Sequence, residues 1–207
     1  MKSSLMRPAL ALTLVLGLSA CGGKASFPIG VTVTGLQFPG LVLSTNGMDL
    51  AVSPPANPGD PVTVNFPKSI EYGEVYNIVP TTMPAHQNCS ATNGITSSLN
   101  NTAGLLAVIN GQMSCALVAI SVGGPVTGLT ADGLVLTNGS TGGTLTVVNG
   151  ATSYAFPAVS FGTTYGITVL TQPTGQVCTV GPNGSGTMGD NPVVDIAITC
   201  VGTPTGP

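Results

Sequence analysis

Charged side chains are nearly missing from this sequence. Asp, Glu, Lys and Arg make up 5% of its residues, where an ordinary soluble chain has about 25%. Lys2 and Arg7 stand at the extreme N-terminus. Beyond them only Lys24 and Lys68 are basic, against seven carboxylates. Two lysines cannot neutralise a run of phosphates, so nucleic-acid binding is excluded. They cannot form a basic membrane-surface patch either. Tryptophan is absent and histidine occurs once, at His86. No pair of cysteines has the C-x-x-C spacing of zinc or thiol-redox sites. After residue 20 no segment is long and apolar enough to span a bilayer.

What is present points to strands. Twenty-nine glycines and 17 prolines would suit a disordered chain. Disorder, however, pairs low hydrophobicity with high net charge, and 43% of this chain is hydrophobic. Its polar remainder is mostly Thr, Ser, Asn and Gly, residues of half-buried strands and tight turns. Strong helix formers such as Glu, Lys, Arg and Gln are scarce. The expected class is all-β.

The first 28 residues read as processing and anchoring. Lys2 and Arg7 precede the apolar stretch 8–18, and its eleven residues are signal-peptide length, short of the about 20 needed to cross. The stretch ends in Leu18-Ser19-Ala20-Cys21, followed by Gly22-Gly23. This resembles the lipobox of bacterial lipoproteins. The resemblance implies removal of residues 1–20, lipidation of Cys21 and attachment to the membrane through that lipid. More than one acyl chain is then carried, which makes attachment durable. Gly22, where an Asp would favour the inner membrane, favours the outer membrane of the cell envelope. Without acylation the same pattern is an ordinary signal peptide with a free Cys21.

The rest of the chain repeats itself. Val33-Thr34-Gly35-Leu36 returns as Val126-Thr127-Gly128-Leu129, and Gly40-Leu41-Val42-Leu43 as Gly133-Leu134-Val135-Leu136. Phe66-Pro67 matches Phe156-Pro157. Tyr72-Gly73 and Tyr76 match Phe161-Gly162 and Tyr165. Pro84, Gln87, Cys89 and Cys115 match Pro173, Gln176, Cys178 and Cys200. The offset falls from 93 to 85 along the chain, as it should when loops vary and elements do not. Two units follow, 29–118 and 119–202, after a short linker at 21–28 and before a tail at 203–207. With one chain segment closing at Cys115 and the next opening near Ala119, the pair should form a stiff rod.

Within the units, polar and apolar residues alternate with a period of two. Tyr165, Ile167 and Val169 share one face. Val194, Ile196, Ile198 and Cys200 share another, as do Val62, Val64 and Phe66. Asn149-Gly150 suits a two-residue hairpin turn, and its counterpart 53–61 is an exposed proline-rich loop. About seven short strands per unit is sandwich size.

The second unit resembles a repeat common in bacterial extracytoplasmic proteins, often in tandem behind a lipobox. Its pattern here is Val126-Thr127-Gly128-Leu129, then Tyr165-Gly166-Ile167-Thr168-Val169, then Gln172-Pro173-Thr174-Gly175-Gln176-Val177-Cys178, and a closing Ile196-Ala197-Ile198-Thr199-Cys200. The resemblance implies two tandem immunoglobulin-like or prealbumin-like β-sandwiches serving as spacer or display modules, with no catalytic motif. The first unit departs from the pattern. Met83 and His86 replace Gln and Gly, and Asn110-Gly111 should interrupt its last strand.

Four cysteines remain after Cys21, and four allow three pairings. Duplication selects Cys89–Cys115 and Cys178–Cys200, since crossed pairs would break the equivalence of the copies. Antiparallel strands joined by a hairpin would set each pair within the roughly 4.4–6.8 Å Cα separation a bridge accepts. Free thiols would be unusual in an oxidising compartment.

The remaining candidates for chemistry are thin. His86 could serve a Ser-His-Asp triad, yet it holds the turn position of Gly175, which predicts a solvent-facing ring. Glu71 with Glu74, and Asp190 with Asp195, could be acid pairs, and neither pair repeats in the other unit. Asp190, Asn191 and the Pro182-Asn183-Gly184-Ser185 turn could gather oxygens for calcium, without the D-x-D-x-D-G run. The matched aromatics Phe66, Tyr72, Tyr76, Tyr154, Phe156, Phe161 and Tyr165 should be core. The expected protein is a non-enzymatic, lipid-anchored structural or interaction module with no cofactor and no metal. A cell-envelope protein or glycan bound by loops 53–60 and 91–103 is the alternative.

Overall fold

The computed structural model describes residues 24–139 and 143–203. The expected signal peptide, Cys21 and all of the tail but Thr203 lie outside the described residues. The chain is all-β and forms two β-sandwiches in tandem. The first contains β1 (Ser26–Phe27), β2 (Ile29–Thr34), β3 (Leu41–Thr45), β4 (Met48–Val52), β5 (Val62–Asn65) and β6 (Ile70–Glu71). It continues with β7 (Val75–Asn77), β8 (Val79–Thr82), β9 (Gln87–Ala91), β10 (Asn100–Thr102) and β11 (Ile109–Leu117). The second contains β12 (Ala119–Thr127), β13 (Leu134–Asn138), β14 (Gly143–Val147) and β15 (Ser153–Ser160), followed by β16 (Thr164–Thr171), β17 (Gln176–Val180), β18 (Ser185–Thr187) and β19 (Ile198–Gly202).

The duplication seen in sequence is a duplication of pairing. One sheet has the order β5-β2-β11-β9 in the first sandwich and β15-β12-β19-β17 in the second. Facing them are β4-β3-β8 and β14-β13-β16-β18. The closing strand of each unit runs parallel to the opening strand and antiparallel to the cysteine strand. Where β12 carries a bulge between Ile120 and Val122, the first unit has Pro28 between β1 and β2, because proline has no N–H for the ladder.

Alternation places the apolar residues between the sheets. β3 and β13 share one burial rhythm, with Leu41 and Leu43 matching Leu134 and Leu136, all at most 1% exposed. Around them gather Ile29, Val31, Ile109 and Met113 in the first core, and Val122, Phe156, Ile196 and Ile198 in the second. The two cores share no residue.

The repeat's motif residues have local tasks. Gly35 and Gly128 take φ of 71° and 75°. A Cβ there would lie 2.4 Å from the carbonyl oxygen of Cys115 and 2.1 Å from that of Cys200, respectively. Buried Gln87 and Gln176 tie the loop after the opening strand. The Nε2 of each donates to the carbonyl of Gly35 or Gly128, and each Oε1 accepts from Phe38 or Thr130 N–H. Gln172 bonds Cys178 through both backbone groups. Met83, in its place in the first unit, offers only sulfur to Cys89 N–H, at 3.5 Å.

Several expectations are corrected. Asn110-Gly111 does not interrupt the closing strand: β11 runs unbroken for nine residues. Gly111 is buried because a Cβ would stand 2.7 Å from Leu99 Cδ2, and Asn110 exchanges hydrogen bonds with Thr32. In the second unit the regular closing strand starts only at Ile198. Upstream of it, Gly123 N–H donates to Val193 and Ile196 N–H to Gly123, and the bare backbone of Gly124 lets Ile196 approach. Tyr154 donates its hydroxyl to Ile196 at 3.0 Å. Burial pushes that hydroxyl up to about 12, so it remains a donor.

Asn149-Gly150 joins β14 to β15, strands of different sheets, and is no hairpin. The two-residue hairpin is Asn46-Gly47, both with positive φ, between β3 and β4. The bridges Cys89–Cys115 and Cys178–Cys200 are present, although no hairpin delivers them. Between the paired strands the chain leaves their sheet, pairing as β10 with β7 in the first unit and as β18 with β16 of the facing sheet in the second. Each pair sits directly opposite in register, at Cα separations of 4.0 and 3.9 Å, closer than the expected range. Finally, Tyr72 is 63% exposed and Phe161 is half-buried outside the second core, so those two matched aromatics are not core residues.

Candidate functional site at the junction of the sandwiches

A single residue, Val118, separates β11 from β12, and it is held from both sides. Its N–H donates to His86 C=O at 2.8 Å, and its C=O accepts from Phe161 N–H at 2.7 Å. His86 lies on the turn before β9 with φ of 58°, a left-handed conformation in which histidine is among the tolerated residues. Gly175 holds the matching turn at φ of 69°. A side chain there costs roughly 1–2 kcal/mol relative to glycine, so its contacts must offset that.

The His86 ring does not face solvent as the repeat predicts. It stacks on Phe161 of the second unit, with centroids 3.8 Å apart and planes at 8°. Phe38 meets His86 edge-on at 5.0 Å and Phe161 at 5.9 Å. His86 Nδ1 lies 2.6 Å from Asp190 Oδ2. Phe38 is set in place because Gln87 Oε1 accepts its N–H. The residues that clasp the units thus come from two loops of the first and two of the second.

Magnitudes make this a positioning device of moderate strength. The aromatic pairs contribute about 0.5–1.5 kcal/mol each beyond their area. The His86–Asp190 hydrogen bond joins side chains 31% and 46% exposed, and polar pairs so open to water contribute about 0–1 kcal/mol. We expect His86→Gly, which keeps the turn, to leave the melting of both sandwiches unchanged. Small-angle scattering should then show a wider spread of inter-unit angles. An unaltered scattering profile would mean that Val118 alone sets the angle.

The other candidates resolve into local pairs. Glu71 meets Lys24 at 3.0 Å, and that hydrogen bond and charge raise the Lys24 pKa. Glu74 Oε2 accepts Glu71 N–H. Asp195 accepts from Asn183 at 2.7 Å, while Asp190 is drawn to His86. Among the described residues no three of His, Cys, Asp and Glu gather as a metal site would need, and His86 shows no hydroxyl partner for a triad. Loop 53–60 lends Pro54, Pro55 and Pro58 to a hollow with Leu36, Gln37 and Phe38. Segment 91–103 folds into two short 3-10 turns and β10.

The exchange of His86 for glycine is visible in the repeat, but its partners Phe161 and Asp190 lie 75 and 104 residues further on, beyond any local pattern. The junction's signal lies where the copies differ, with His86 against Gly175 and Phe38 against Ala131.

No protein-family profile matches the chain, nor does any curated protein sequence. Among solved structures, the major pilin protein T-13 of Streptococcus pyogenes is similar at 12% identity and a TM-score of 0.29, over 86% of this chain and 95% of that one. A likeness so remote carries no argument about function.

Proposed function

We propose that this protein is a non-catalytic lipoprotein of the bacterial cell envelope, a short stiff spacer or display module attached through Cys21. The observation that carries the mechanical part is the one-residue connection at Val118, clamped to His86 and Phe161. The two disulfides support an extracytoplasmic location, because cytosolic thiols are kept reduced. The scarcity of titratable side chains supports a role without turnover. A second reading, recognition of an envelope protein or glycan, is favoured by the proline-walled hollow beside Phe38. The outer membrane is the proposed site on the strength of Gly22.

The anchor has a direct test. In the producing cell, fatty-acid label and membrane fractionation should both be lost in Cys21→Ser. A variant that stays wholly membrane-bound, or a wild-type protein found only in the soluble periplasm, would sink the lipoprotein reading.

A further inference from the structure

The face by which the second sandwich receives the first has a counterpart on the first sandwich. In the second unit Phe161 N–H donates to Val118, and Gly162 N–H donates to Met188. In the first unit Tyr72 N–H donates to Ala25 at 2.8 Å, and Gly73 N–H donates to Ala103 at 3.0 Å. Tyr72 therefore stands where Phe161 does, and Leu105 stands where Asp190 does. At the junction this face is covered by His86 and Phe38. On the first sandwich it presents Tyr72, Val75, Leu105, Leu106 and Val108, which are 63%, 62%, 71%, 40% and 71% exposed. Tyr72 lies across Gly104, whose Cβ would stand 2.3 Å from its ring. Five large apolar side chains at one pole of so small a unit call for a partner.

A second copy of the chain is a poor occupant. The groups that cover Phe161 are Phe38 and His86, and both are engaged within the chain. The free pole of the second sandwich has Ala131 and Gly175 in their places, so no spare clasp exists. The chain itself indicates another partner. Cys21 is four residues before Ala25, at most about 14 Å of extended chain, and Ala25 is bonded to Tyr72. Lys24 is paired with Glu71, and Glu74 beside them leaves this corner one net negative charge, so the contact offered to the bilayer is apolar and not a basic patch.

We infer that this pole is a membrane-contact surface, with Tyr72, Leu105, Leu106 and Val108 resting in the interfacial region of the bilayer that holds the acylated Cys21. The inference rests on the lipoprotein reading. It makes the first sandwich stand on the membrane in a set orientation, with the lipid and the protein pole acting as two points of attachment.

The chain has no tryptophan, so one introduced indole reports a single position. Leu105→Trp and Val108→Trp would be made separately in the mature lipoprotein, with Val201→Trp on the second sandwich as the distant control. Each protein would be reconstituted into phosphatidylethanolamine–phosphatidylglycerol vesicles, with the mass of the N-terminal peptide and flotation recorded. The inference expects blue-shifted emission at 105 and 108 and loss of intensity when the acyl chains are brominated, with neither change at 201. Acylated, floating protein whose emission at 105 and 108 stays water-like would overturn the inference and leave the anchor standing. Blue-shifted emission that bromine does not quench and that grows with protein concentration would overturn it in favour of self-association. A mass without acyl chains and no flotation would overturn both readings together.

Discussion

Replacing Cys178 and Cys200 together by alanine is expected to cost the second sandwich about 3 kcal/mol, the chain-entropy worth of a bridge closing a loop of this size. The bridge spans 22 residues, and that of the first unit spans 26. A sandwich of this size commands only about 5–15 kcal/mol in total, so the loss is a large fraction. The bridge also crosses from β17 to β19 at directly opposed positions. Without it, β17 is an edge strand held by backbone hydrogen bonds and by Gln172 and Gln176. Calorimetry should show the second sandwich melting earlier while the transition of the first keeps its place, since the cores share no residue. The same experiment on Cys89 and Cys115 should reverse the pattern. A single transition that moves as a whole would show that the sandwiches unfold as one, and an unchanged melting temperature would show that the bridges add nothing. Peptide mapping without reductant checks the pairing itself, and any Cys89–Cys178 peptide would contradict it.

Gly128→Ala should be comparably severe, by about 2–4 kcal/mol, for two separable reasons. The left-handed backbone costs roughly 1–2 kcal/mol once a Cβ is present. The added methyl would then meet the carbonyl oxygen of Cys200 at 2.1 Å, a backbone atom that cannot rotate away. Either β19 moves, straining its pairing with β12, or the loop bearing Leu129 does. Gly150 is the control, because it has the same φ of 75° and nothing within 4 Å of its Cβ position. Gly150→Ala should therefore show the conformational cost alone, and denaturant titration of the two variants measures the difference. Equal losses would mean that the close approach at Cys200 relaxes freely.

Much of this architecture could be read from residue order. Composition pointed to strands, being rich in Thr, Val and Gly and poor in helix formers. Alternation located the strands, because a sheet face repeats every two residues whatever its partners are. The repeat fixed the unit size and chose the cysteine pairs, since equivalent copies must close equivalent loops. Local pattern and tertiary structure part where distant partners decide the outcome. Asn149-Gly150 has hairpin chemistry, but whether its flanking strands share a sheet depends on which edges meet. Gly111 looks like a strand breaker, but Leu99 and Ile78 fill the space a side chain would take.

The sequence alone determined an all-β chain of two homologous units with a bridge in each, because periodicity, composition and duplication are properties of the order of residues. Only the tertiary structure decided the parallel pairing of first and last strands and the clasp of His86, Phe38, Phe161 and Asp190. It also decided the exposure of Tyr72 and Leu105. Each of these depends on which surfaces meet across distances of tens of residues, where the side chain in question is paired, stacked or left uncovered by segments that local pattern does not specify.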